Sequence, residues 1–335
     1  MEALTVIQFD LRRSPECPDS QEERYRACLD MVRWGDENGI TVAGFSEHHN
    51  TEDGFLSSPM MLAMAAAQAT SNIRLSVSAL LLPLHDPIRI AEDIAVLDLV
   101  SQGRFMAVAG LGYREREYQT MGVEWQRRGR IMDEKLAVLL QAWRGEYFSH
   151  NGVPTILNPV PLRPAQALLC VGGNSAAAAR RAARFGLYFA PAIDDPELAD
   201  AYNAACEDYG FGSGAVIFPN EPSLTLVSED PERDWAHYGK YFLYDALAYG
   251  QWRHATRRAY AESFATDLAG LRAEGKYCFL SPDEAIARIR DKGSINLSPL
   301  CGGMPLEVAW NSLELFAAKV IPAVSGGNTL EESEA

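Results

Sequence analysis

The stretch that decides the fold runs from Ile73 to Ala109 and reads IRLSVSALLLPLHDPIRIAEDIAVLDLVSQGRFMAVA. An apolar run ending at Leu82 is followed by Pro83, by a segment of helical period and by a second apolar run. Strands that alternate with helical segments are typical of βα units around a parallel sheet. The stretch therefore predicts three elements, namely a strand over Ile73–Leu82, a helix over Ile88–Val100 and a strand over Arg104–Ala109.

The same alternation continues in both directions along the chain. Short apolar runs predict six more strands, at Leu4–Phe9, Ile40–Phe45, Leu168–Val171, Leu187–Ala190, Ser223–Val227 and Ser294–Leu297. Eight parallel strands that alternate with helices predict an α/β fold, a (β/α)8 TIM barrel. A mainly helical, aromatic-rich insertion of about residues 231–276 follows the seventh strand. We expect a single barrel domain over residues 1–325 and a flexible acidic tail over residues 326–335.

Composition limits the classes of function. The formal net charge is -15 and the pI is near 4.9, which argues against a nucleic-acid or anionic-membrane partner. The six cysteines are scattered, without a C-x-x-C pair or zinc-like spacing. The N-terminal segment carries an acid where a signal peptide would carry bases, and no run reaches the roughly 18 apolar residues of a membrane helix. We therefore expect a soluble, cytoplasmic protein.

Three ionisable residues, Glu47-His48-His49, directly follow the second predicted strand. Active sites of βα barrels form where the strands end, and histidine is a common acid or base near neutral pH. Consecutive side chains of a strand point to opposite sides, so either His48 or the Glu47/His49 pair faces the barrel mouth. The three residues are for the same reason a poor ligand set for one metal ion, and we predict no metal site. A hydrogen-bonded loop histidine is the alternative to catalysis.

The run Val171-Gly-Gly-Asn-Ser175 precedes an Ala-rich segment of helical character. Gly172 and Gly173 allow close approach to the backbone, and Asn174 or Ser175 can cap the helix. Free backbone amides at the positive end of a helix form a site that suits a phosphate. A capped helix without a ligand explains the same run, so the motif alone leaves both interpretations open.

Small residues interrupt the bulky run at the exit of the third strand, which reads Ser76-Val-Ser-Ala-Leu80. Small side chains at Ser78 and Ala79 would let a planar ring lie against the backbone. Packing inside a barrel, where small residues alternate with large ones, explains the same pattern. The G-x-G that begins at Gly110 is too short to indicate nucleotide binding by itself.

Taken together, these segments resemble the luciferase-like flavin-dependent monooxygenase family, to which bacterial luciferase belongs. The most specific segments are Phe45-Ser-Glu-His-His49 and the run from Asp86 to Phe105. The resemblance continues through four further segments, Gly110–Tyr118, Val171–Gly186, Gly302-Gly303 and Ser312–Phe316. It therefore covers nearly the whole chain.

The resemblance implies roles for individual residues. His48 matches the histidine that serves acid/base chemistry beside the flavin, and Ser175 matches a serine at the flavin phosphate. Ser78-Ala79 falls where relatives have a non-prolyl cis peptide under the isoalloxazine ring. The flavin-binding residues implied in this way are Ser78, Ala79, Gly110, Gly172, Gly173, Asn174 and Ser175. Luciferase places an arginine at the phosphate where this chain has Leu111, so phosphate binding would depend on the turn before the helix or on another cation.

The function implied by the resemblance is oxygenation of an organic, largely apolar substrate by reduced FMN and O2. A separate flavin reductase would supply the reduced flavin, and the chain would form a homodimer. Three alternatives stay open. They are a deazaflavin-dependent hydride-transfer enzyme of the same fold, a metal-dependent barrel hydrolase that uses Glu47, His48 and His49, and a flavin-binding protein without turnover.

Overall fold

The computed structural model describes residues 3–212, 214–219, 223–252 and 262–325. The predicted tail over residues 326–335 lies outside the described residues, as does part of the predicted insertion, residues 253–261. Among the helices described, none combines the length and the apolar character needed to cross a membrane.

The described residues form eleven strands and thirteen α-helices. The strands are β1 (Leu4–Phe9), β2 (Val42–Phe45), β3 (Arg74–Leu80), β4 (Phe105–Ala109), β5 (Phe148–His150), β6 (Val153–Thr155), β7 (Leu169–Gly172), β8 (Tyr188–Ala190), β9 (Leu224–Val227), β10 (Tyr277–Leu280) and β11 (Ser294–Leu297). The helices are α1 (Gln21–Glu37), α2 (Pro59–Ala69), α3 (Pro87–Val100), α4 (Glu115–Thr120), α5 (Arg128–Ala142), α6 (Ala165–Leu168), α7 (Ala176–Arg184), α8 (Pro196–Tyr209), α9 (Pro231–Gln251), α10 (Leu268–Glu274), α11 (Pro282–Lys292), α12 (Leu306–Leu315) and α13 (Ile321–Ser325).

Nine of the strands form one sheet, in the order β10-β9-β11-β1-β2-β3-β4-β7-β8. Every neighbouring pair in this sheet is parallel. The last strand, β11, returns beside the first, with Leu4 opposite Ser294. The remaining strands, β5 and β6, form a separate antiparallel hairpin. The predicted α/β fold with parallel strands is confirmed.

The strand β10 corrects the predicted number of eight strands in the sheet. It lies at the edge of the sheet beside β9, and its four residues are all buried. A run of four apolar residues that directly follows a helical segment is too short to show a strand period. The sequence alone therefore could not separate β10 from the end of the insertion.

The strands separate an inner face from an outer face. In β1, Leu4, Val6 and Gln8 line an internal cavity, whereas Ile7 and Phe9 are fully buried in the core cluster that includes residues of α1. Strands from β8, at one edge of the sheet, to β9, next to the other edge, contribute residues to the same cavity. The sheet therefore curls around one interior, as the strands of a TIM barrel do.

The helix α9 is the longest described part of the predicted insertion. It begins where the side chain of Asp230 accepts a hydrogen bond from the backbone N–H of Arg233. Its Trp235 and Phe242 pack with Phe279 of β10 in a second hydrophobic cluster. This packing fixes α9 against the barrel, so that its C-terminal end lies over the barrel interior.

Candidate active site

The barrel interior holds a cavity of about 790 Å³. This volume lies within the range of about 300–1,000 Å³ that is usual for small-molecule and cofactor sites. Its walls include residues at or just after the ends of four strands, namely Glu47-His48, Ala79, Gly110–Tyr113 and Gly172–Ser175. Every residue that the sequence predicted for catalysis or flavin binding lines this one cavity. The fold therefore brings together side chains that are up to 127 positions apart, from His48 to Ser175.

His48 is 6% exposed, and each of its ring nitrogens has a partner. Nδ1 lies 2.8 Å from Oε1 of Glu117, and Nε2 lies 2.9 Å from the hydroxyl oxygen of Tyr113. Burial would raise the pKa of Glu117, but the hydrogen bonds from His48 and from the backbone N–H of His49, with the charge of Arg114, lower it below its ordinary value. Glu117 is therefore a carboxylate, which can only accept. Hence His48 donates from Nδ1 to Glu117 and accepts at Nε2 from the O–H of Tyr113.

The protonation states of these groups follow from their burial. Burial lowers the pKa of His48, although Glu117 opposes the shift. Burial raises the pKa of Tyr113, so its hydroxyl keeps its proton. At neutral pH the imidazole of His48 is therefore a neutral base with its Nε2 lone pair on the side of Tyr113, and both residues line the cavity.

The carboxylate of Glu117 is fixed by the loop after β2. Its Oε1 accepts a 2.9 Å hydrogen bond from the backbone N–H of His49 and a 3.1 Å bond from the guanidinium of Arg114. Arg114 also donates to the carbonyl oxygen of His49 at 2.7 Å. The first turn of α4 is thereby tied to the end of β2, which orients the imidazole of His48.

Aromatic rings cover His48 on the side of α9. The ring centroids of Phe55 and Trp252 lie 4.8 and 4.9 Å from that of His48. Trp252 is itself held by two guanidinium groups, since those of Arg114 and Arg12 lie 4.0 and 4.7 Å from its ring centroid. Such cation–π contacts hold the residue that ends α9 in place beside His48. The rings leave little room for water around the imidazole.

Glu47 belongs to a separate cluster. Its Oε1 lies 3.0 Å from Nε2 of His49 and 2.7 Å from Nε2 of His85, and its Oε2 accepts a 2.6 Å bond from the backbone N–H of Leu81. Burial would raise the pKa of Glu47, but the hydrogen bonds from the two histidines lower it to about 2. Side-chain atoms of Glu47, His49 and His85 lie within 4.8 Å of one another, close enough to hold a metal ion. The set Glu47, His48 and His49 is not brought together, because His48 bonds to Glu117.

The wall formed by β3 and β4 contains the non-prolyl cis peptide that the resemblance implied. The peptide bond between Ser78 and Ala79 is cis, as predicted. A Cβ added at Gly110 would lie 2.7 Å from the Cβ of Ala79, closer than real Cβ contacts come. Because Gly110 has no side chain, the segments that carry Ala79 and Gly110 can lie side by side along the cavity. Few side-chain atoms project from the wall at this point.

The turn after β7 presents backbone to the cavity. Ser175 caps α7, and its hydroxyl oxygen accepts a 3.3 Å hydrogen bond from a backbone N–H of the first turn. Gly173 has φ of +140°, which side chains other than glycine rarely adopt. A Cβ at Gly172 would lie 2.8 Å from Cγ1 of Val108. The turn and the start of α7 thus form a cradle that suits an anion such as a phosphate.

No Lys or Arg is found among the described residues that line the cavity. The arginine that Leu111 replaces therefore has no substitute among these lining residues. A phosphate at Gly172–Ser175 would be held by backbone amides, by the hydroxyl of Ser175 and by the positive end of α7. These residues fit a flavin phosphate, although no cationic side chain among the described lining residues would contact it.

A third cluster lies at the end of β1, where Asp10 lines the same cavity. Behind it Arg12 is fully buried, with Nε 3.0 Å from Oδ2 of Asp53 and Nη1 3.2 Å from Oδ1 of Asp245. Asp245 also accepts a 2.8 Å hydrogen bond from the hydroxyl of Tyr277. Burial and the charge of Asp245 raise the pKa of Asp10 to about 7, although Arg12 opposes the shift.

Sequence reasoning missed Tyr113, Glu117 and Asp10 as site residues. Each lies in a segment that follows a strand, so the rule that drew attention to His48 could have drawn attention to them as well. Their partners are remote in the chain, since Glu117 is 69 positions from His48. Spacing in the sequence gives no sign of such a contact.

A barrel whose strand ends carry a buried histidine relay and an anion cradle around one cavity has the parts of an enzyme active site. Residues 4–290 match the luciferase-like monooxygenase family. The chain belongs to this family of flavin-dependent monooxygenases, and the resemblance predicted from the sequence is confirmed.

Two curated relatives indicate how far the sequence similarity reaches. An uncharacterized protein of Sinorhizobium fredii is 31% identical over 127 residues, covering 38% of this chain and 36% of the relative. The alkanal monooxygenase alpha chain of Photorhabdus luminescens is 24% identical over 201 residues, covering 57% of this chain and 56% of the relative. The chain thus spans between one third and just over half of the length of these relatives.

Solved structures share the fold over nearly the whole chain. A monooxygenase from Streptomyces bottropensis has a TM-score of 0.72 at 22% identity and covers 96% of this chain and 99% of its own. The oxygenating constituent of 3,6-diketocamphane monooxygenase from Pseudomonas putida, solved with FMN, has a TM-score of 0.67 at 17% identity, with 96% and 98% covered. An F420-dependent secondary alcohol dehydrogenase has a TM-score of 0.67 at 17% identity, with 97% and 99% covered. At these identities the similarity shows the fold alone.

Proposed function

We propose that this protein binds reduced FMN in the barrel cavity and uses it with O2 to oxygenate an organic, largely apolar substrate. The observation that carries the proposal is the position of the His48–Tyr113 pair and of the Gly172–Ser175 cradle on the walls of one 790 Å³ cavity. Family membership supplies the reaction class, because the family is one of flavin-dependent monooxygenases.

Two parts of the wall would hold the flavin. The phosphate would lie at the Gly172–Ser175 turn, where the start of α7 favours negative charge and close backbone approach is possible. The ring system would lie against the flat segment formed by Ser78, Ala79 and Gly110. These are the residues that the family resemblance implied.

When bound, the reduced flavin supplies the electrons that activate O2. The chain itself controls the protons and the water around that chemistry. His48, neutral and oriented by Glu117, can take a proton at Nε2 from the hydroxyl of Tyr113, which in turn can take one from a group in the cavity. Phe55 and Trp252 keep water away from the imidazole.

The largely apolar cavity wall supports an apolar substrate, since Val6, Val42, Leu111, Val108 and Ala190 all contribute to it. A separate flavin reductase as the source of reduced FMN belongs to the same proposal. It is supported by the Pseudomonas putida protein, which is the oxygenating constituent of its monooxygenase and so implies a further component there. The homodimer implied by the resemblance is also part of the proposal.

The second candidate is a deazaflavin-dependent hydride-transfer enzyme. It is favoured by one observation, the equally similar fold of an F420-dependent secondary alcohol dehydrogenase. The two candidates differ in their need for oxygen, because hydride transfer to a deazaflavin consumes none.

The test is an anaerobic titration of the purified protein with reduced FMN and with the reduced deazaflavin, followed by admission of air. We expect tight binding of reduced FMN and, once air and an apolar substrate are admitted, an oxygenated product that forms only with the protein. Binding of the deazaflavin alone, without oxygen uptake, would contradict the proposal and favour the second candidate. Metal analysis after dialysis tests the hydrolase alternative. That alternative predicts metal retained at Glu47, His49 and His85, together with ester or amide hydrolysis.

A further inference from the structure

We propose that one side of the cavity, formed by β1 and β11, binds an uncharged oxygen group of the substrate, a hydroxyl or a carbonyl, away from the flavin ring. The residues of this polar wall are Gln8, Ser294, Asn296 and Ser298, and all of them line the cavity. The inference rests on the proposed oxygenase function. It narrows the substrate class to a largely apolar molecule that carries such a group.

The polar wall lies opposite the segments proposed to hold the flavin ring. The ring would lie against Ser78, Ala79 and Gly110, at the ends of β3 and β4. In the order of the sheet, β11 is four strands away from β4, and β1 is the neighbour of β11. Because the sheet curls around one interior, β11 faces β4 across the cavity. A substrate that lies on the flavin ring would therefore have β11 and β1 on its other side.

The alternation of side chains along the strands turns the polar residues inward. Ser294, Asn296 and Ser298 occupy alternate positions and line the cavity, whereas Leu297 is buried in the hydrophobic core cluster. Gln8 takes an inward position on the neighbouring strand β1. The inward positions of TIM-barrel strands are usually filled by bulky Val, Ile and Leu. Packing of the barrel interior therefore does not explain polar residues at these positions.

Two hydroxyl groups of the polar wall lack a partner among the described residues. Ser294 and Ser298 are 4% and 3% exposed, and the hydroxyl oxygen of each is buried without a hydrogen bond. On the opposite side of the cavity, the hydroxyl oxygens of Ser76 and Ser78 lie 2.7 Å apart and satisfy each other. A buried hydroxyl without a partner destabilises the protein, and an oxygen of a bound ligand would supply that partner.

Gln8 adds a fixed carboxamide to the same wall. Its Nε2 donates a 2.8 Å hydrogen bond to the hydroxyl oxygen of Ser46 on the neighbouring strand β2. A Cβ at Gly44 would collide with Oε1 of Gln8, so the missing side chain leaves the space in which the carboxamide lies. A polar group held in this way is oriented before the ligand arrives, which lowers the entropy lost on binding.

The charges of the cavity decide which polar group fits. Asp10 and Glu47 line the cavity, and no Lys or Arg is found among its described lining residues. A carboxylate or phosphate on the substrate would therefore be repelled. The hydroxyl and carboxamide groups of the polar wall are uncharged donors and acceptors, and they match a hydroxyl or a carbonyl of the substrate.

The first part of the test needs no substrate. In the flavin-free protein, the double variant Ser294→Ala with Ser298→Ala should unfold at the wild-type temperature or above it, because it removes hydroxyls that have no partner. Ser223→Ala is the matched control. Ser223 is 1% exposed and lies outside the described cavity lining, and its hydroxyl accepts a 2.9 Å bond from Arg288, so this variant should unfold at a lower temperature. A double variant that unfolds at a lower temperature than the wild type would overturn the proposal, since its hydroxyls would then have partners within the protein.

The second part compares probe pairs that differ in one oxygen, cyclohexanone with 4-hydroxycyclohexanone and octanal with 8-hydroxyoctanal. With reduced FMN and O2, the wild type should favour the hydroxylated member of at least one pair by about tenfold or more in kcat/KM. In the double variant this ratio should fall to about one, with unchanged FMN affinity. Ser223→Ala should keep the wild-type ratio.

Three results would overturn the polar wall as a substrate site. They are the absence of a preference in every pair, a preference that the double variant retains, and an FMN affinity that falls with the preference, which would assign the wall to the flavin. A wild type that oxygenates no member of any pair contradicts the proposed function instead. Calorimetric binding of the same pairs to the flavin-free protein then decides separately: a tenfold preference that the double variant loses supports the wall, and equal affinities overturn it.

Discussion

Two carboxyl clusters lie at the ends of neighbouring strands, and the pKa values of their central carboxyl groups are shifted in opposite directions. After β2, Glu47 accepts hydrogen bonds from His49, His85 and the backbone N–H of Leu81, and its pKa falls to about 2. After β1, Asp10 accepts one hydrogen bond, from the backbone N–H of Arg12, and its pKa rises to about 7.

The difference shows that the number of donors, and not burial alone, decides the state of a carboxyl group. Burial disfavours both anions, yet three N–H donors outweigh it at Glu47. Asp10 has one donor, and burial together with the negative charge of Asp245 raises its pKa. Glu47 is therefore an anion at neutral pH that fixes two histidines, whereas the pKa of Asp10 lies near neutral pH.

The largest expected effect is on the rate, and it should come from removing the base His48. His48→Ala deletes the group oriented by Glu117, and loss of a positioned acid or base typically lowers the rate by about 10²–10⁴-fold. FMN affinity should change little, because the predicted phosphate cradle lies after β7. His49→Ala is the control, since it removes a partner of Glu47 and leaves the relay in place. Equal rates in wild type and His48→Ala would make this histidine structural.

Breaking the cluster after β1 should have the next largest effect, on stability. Arg12→Met leaves the carboxylates of Asp53 and Asp245 without their cation, and removal of one partner from a buried ion pair costs about 3–5 kcal/mol. The free energy of unfolding, from denaturant titration, measures this loss. Arg89→Met is the matched control, because Arg89 is 74% exposed in its ion pairs and surface pairs contribute about 0–1 kcal/mol. A similar cost for both variants would contradict the description of the cluster.

The two clusters should change the free energy of unfolding in opposite directions as the pH rises. The folded pKa of Glu47 is below its ordinary value of 4.5, so its contribution is present above pH 4.5 and lost as the pH falls towards 2. The folded pKa of Asp10 is above its ordinary value of 3.8, so stability is lost as the pH rises from about 4 through 7. Each contribution should be of the order of 3–4 kcal/mol.

Two conservative variants isolate these contributions in unfolding curves measured from pH 3 to pH 8. Glu47→Gln should flatten the acidic part of the stability profile and leave the part above pH 5 unchanged. Asp10→Asn should do the reverse. Identical profiles in the two variants would mean that neither carboxyl differs from its ordinary pKa in the way described.

The smallest effect concerns the anion cradle, which has no carboxylate of its own. Ser175→Asp keeps a good helix cap but places a negative charge at the start of α7, so FMN should bind about tenfold or more weakly. Ser175→Asn, a neutral cap of similar shape, should bind FMN nearly as the wild type does. Fluorescence titration measures both, and equal affinity in all three proteins would place the phosphate elsewhere.

Much of the fold could be predicted from the sequence because its elements are long and periodic. The bounds of β1 and β11 agree with the predicted ones at both ends. The strand β10 was not predicted because its apolar run directly follows a helical segment, and the hairpin of β5 and β6 was not predicted because its residues, Phe-Ser-His and Val-Pro-Thr, form no apolar run. An apolar run between segments of helical period separates the strands that were predicted from those that were not.

The candidate site was predictable where a motif is local and unpredictable where the fold supplies the partner. The turn at Gly172–Ser175 and the cis bond at Ser78-Ala79 are local, and the sequence pointed to both. The partners of His48 come from the segment after β4, and Asp245 comes from α9, 235 positions after Asp10. Only the packing of α9 against the strand ends brings that second carboxyl to the first.

One measurement tests the central claim most directly, the incorporation of oxygen from ¹⁸O2 into product. The wild type, supplied with reduced FMN and a panel of apolar aldehydes, ketones and alkenes, should yield a product that carries one ¹⁸O atom. His48→Ala with FMN bound should form the same product much more slowly. A product without ¹⁸O, or substrate oxidation that continues in the absence of oxygen, would contradict the assignment of this cavity to an FMN-dependent oxygenase.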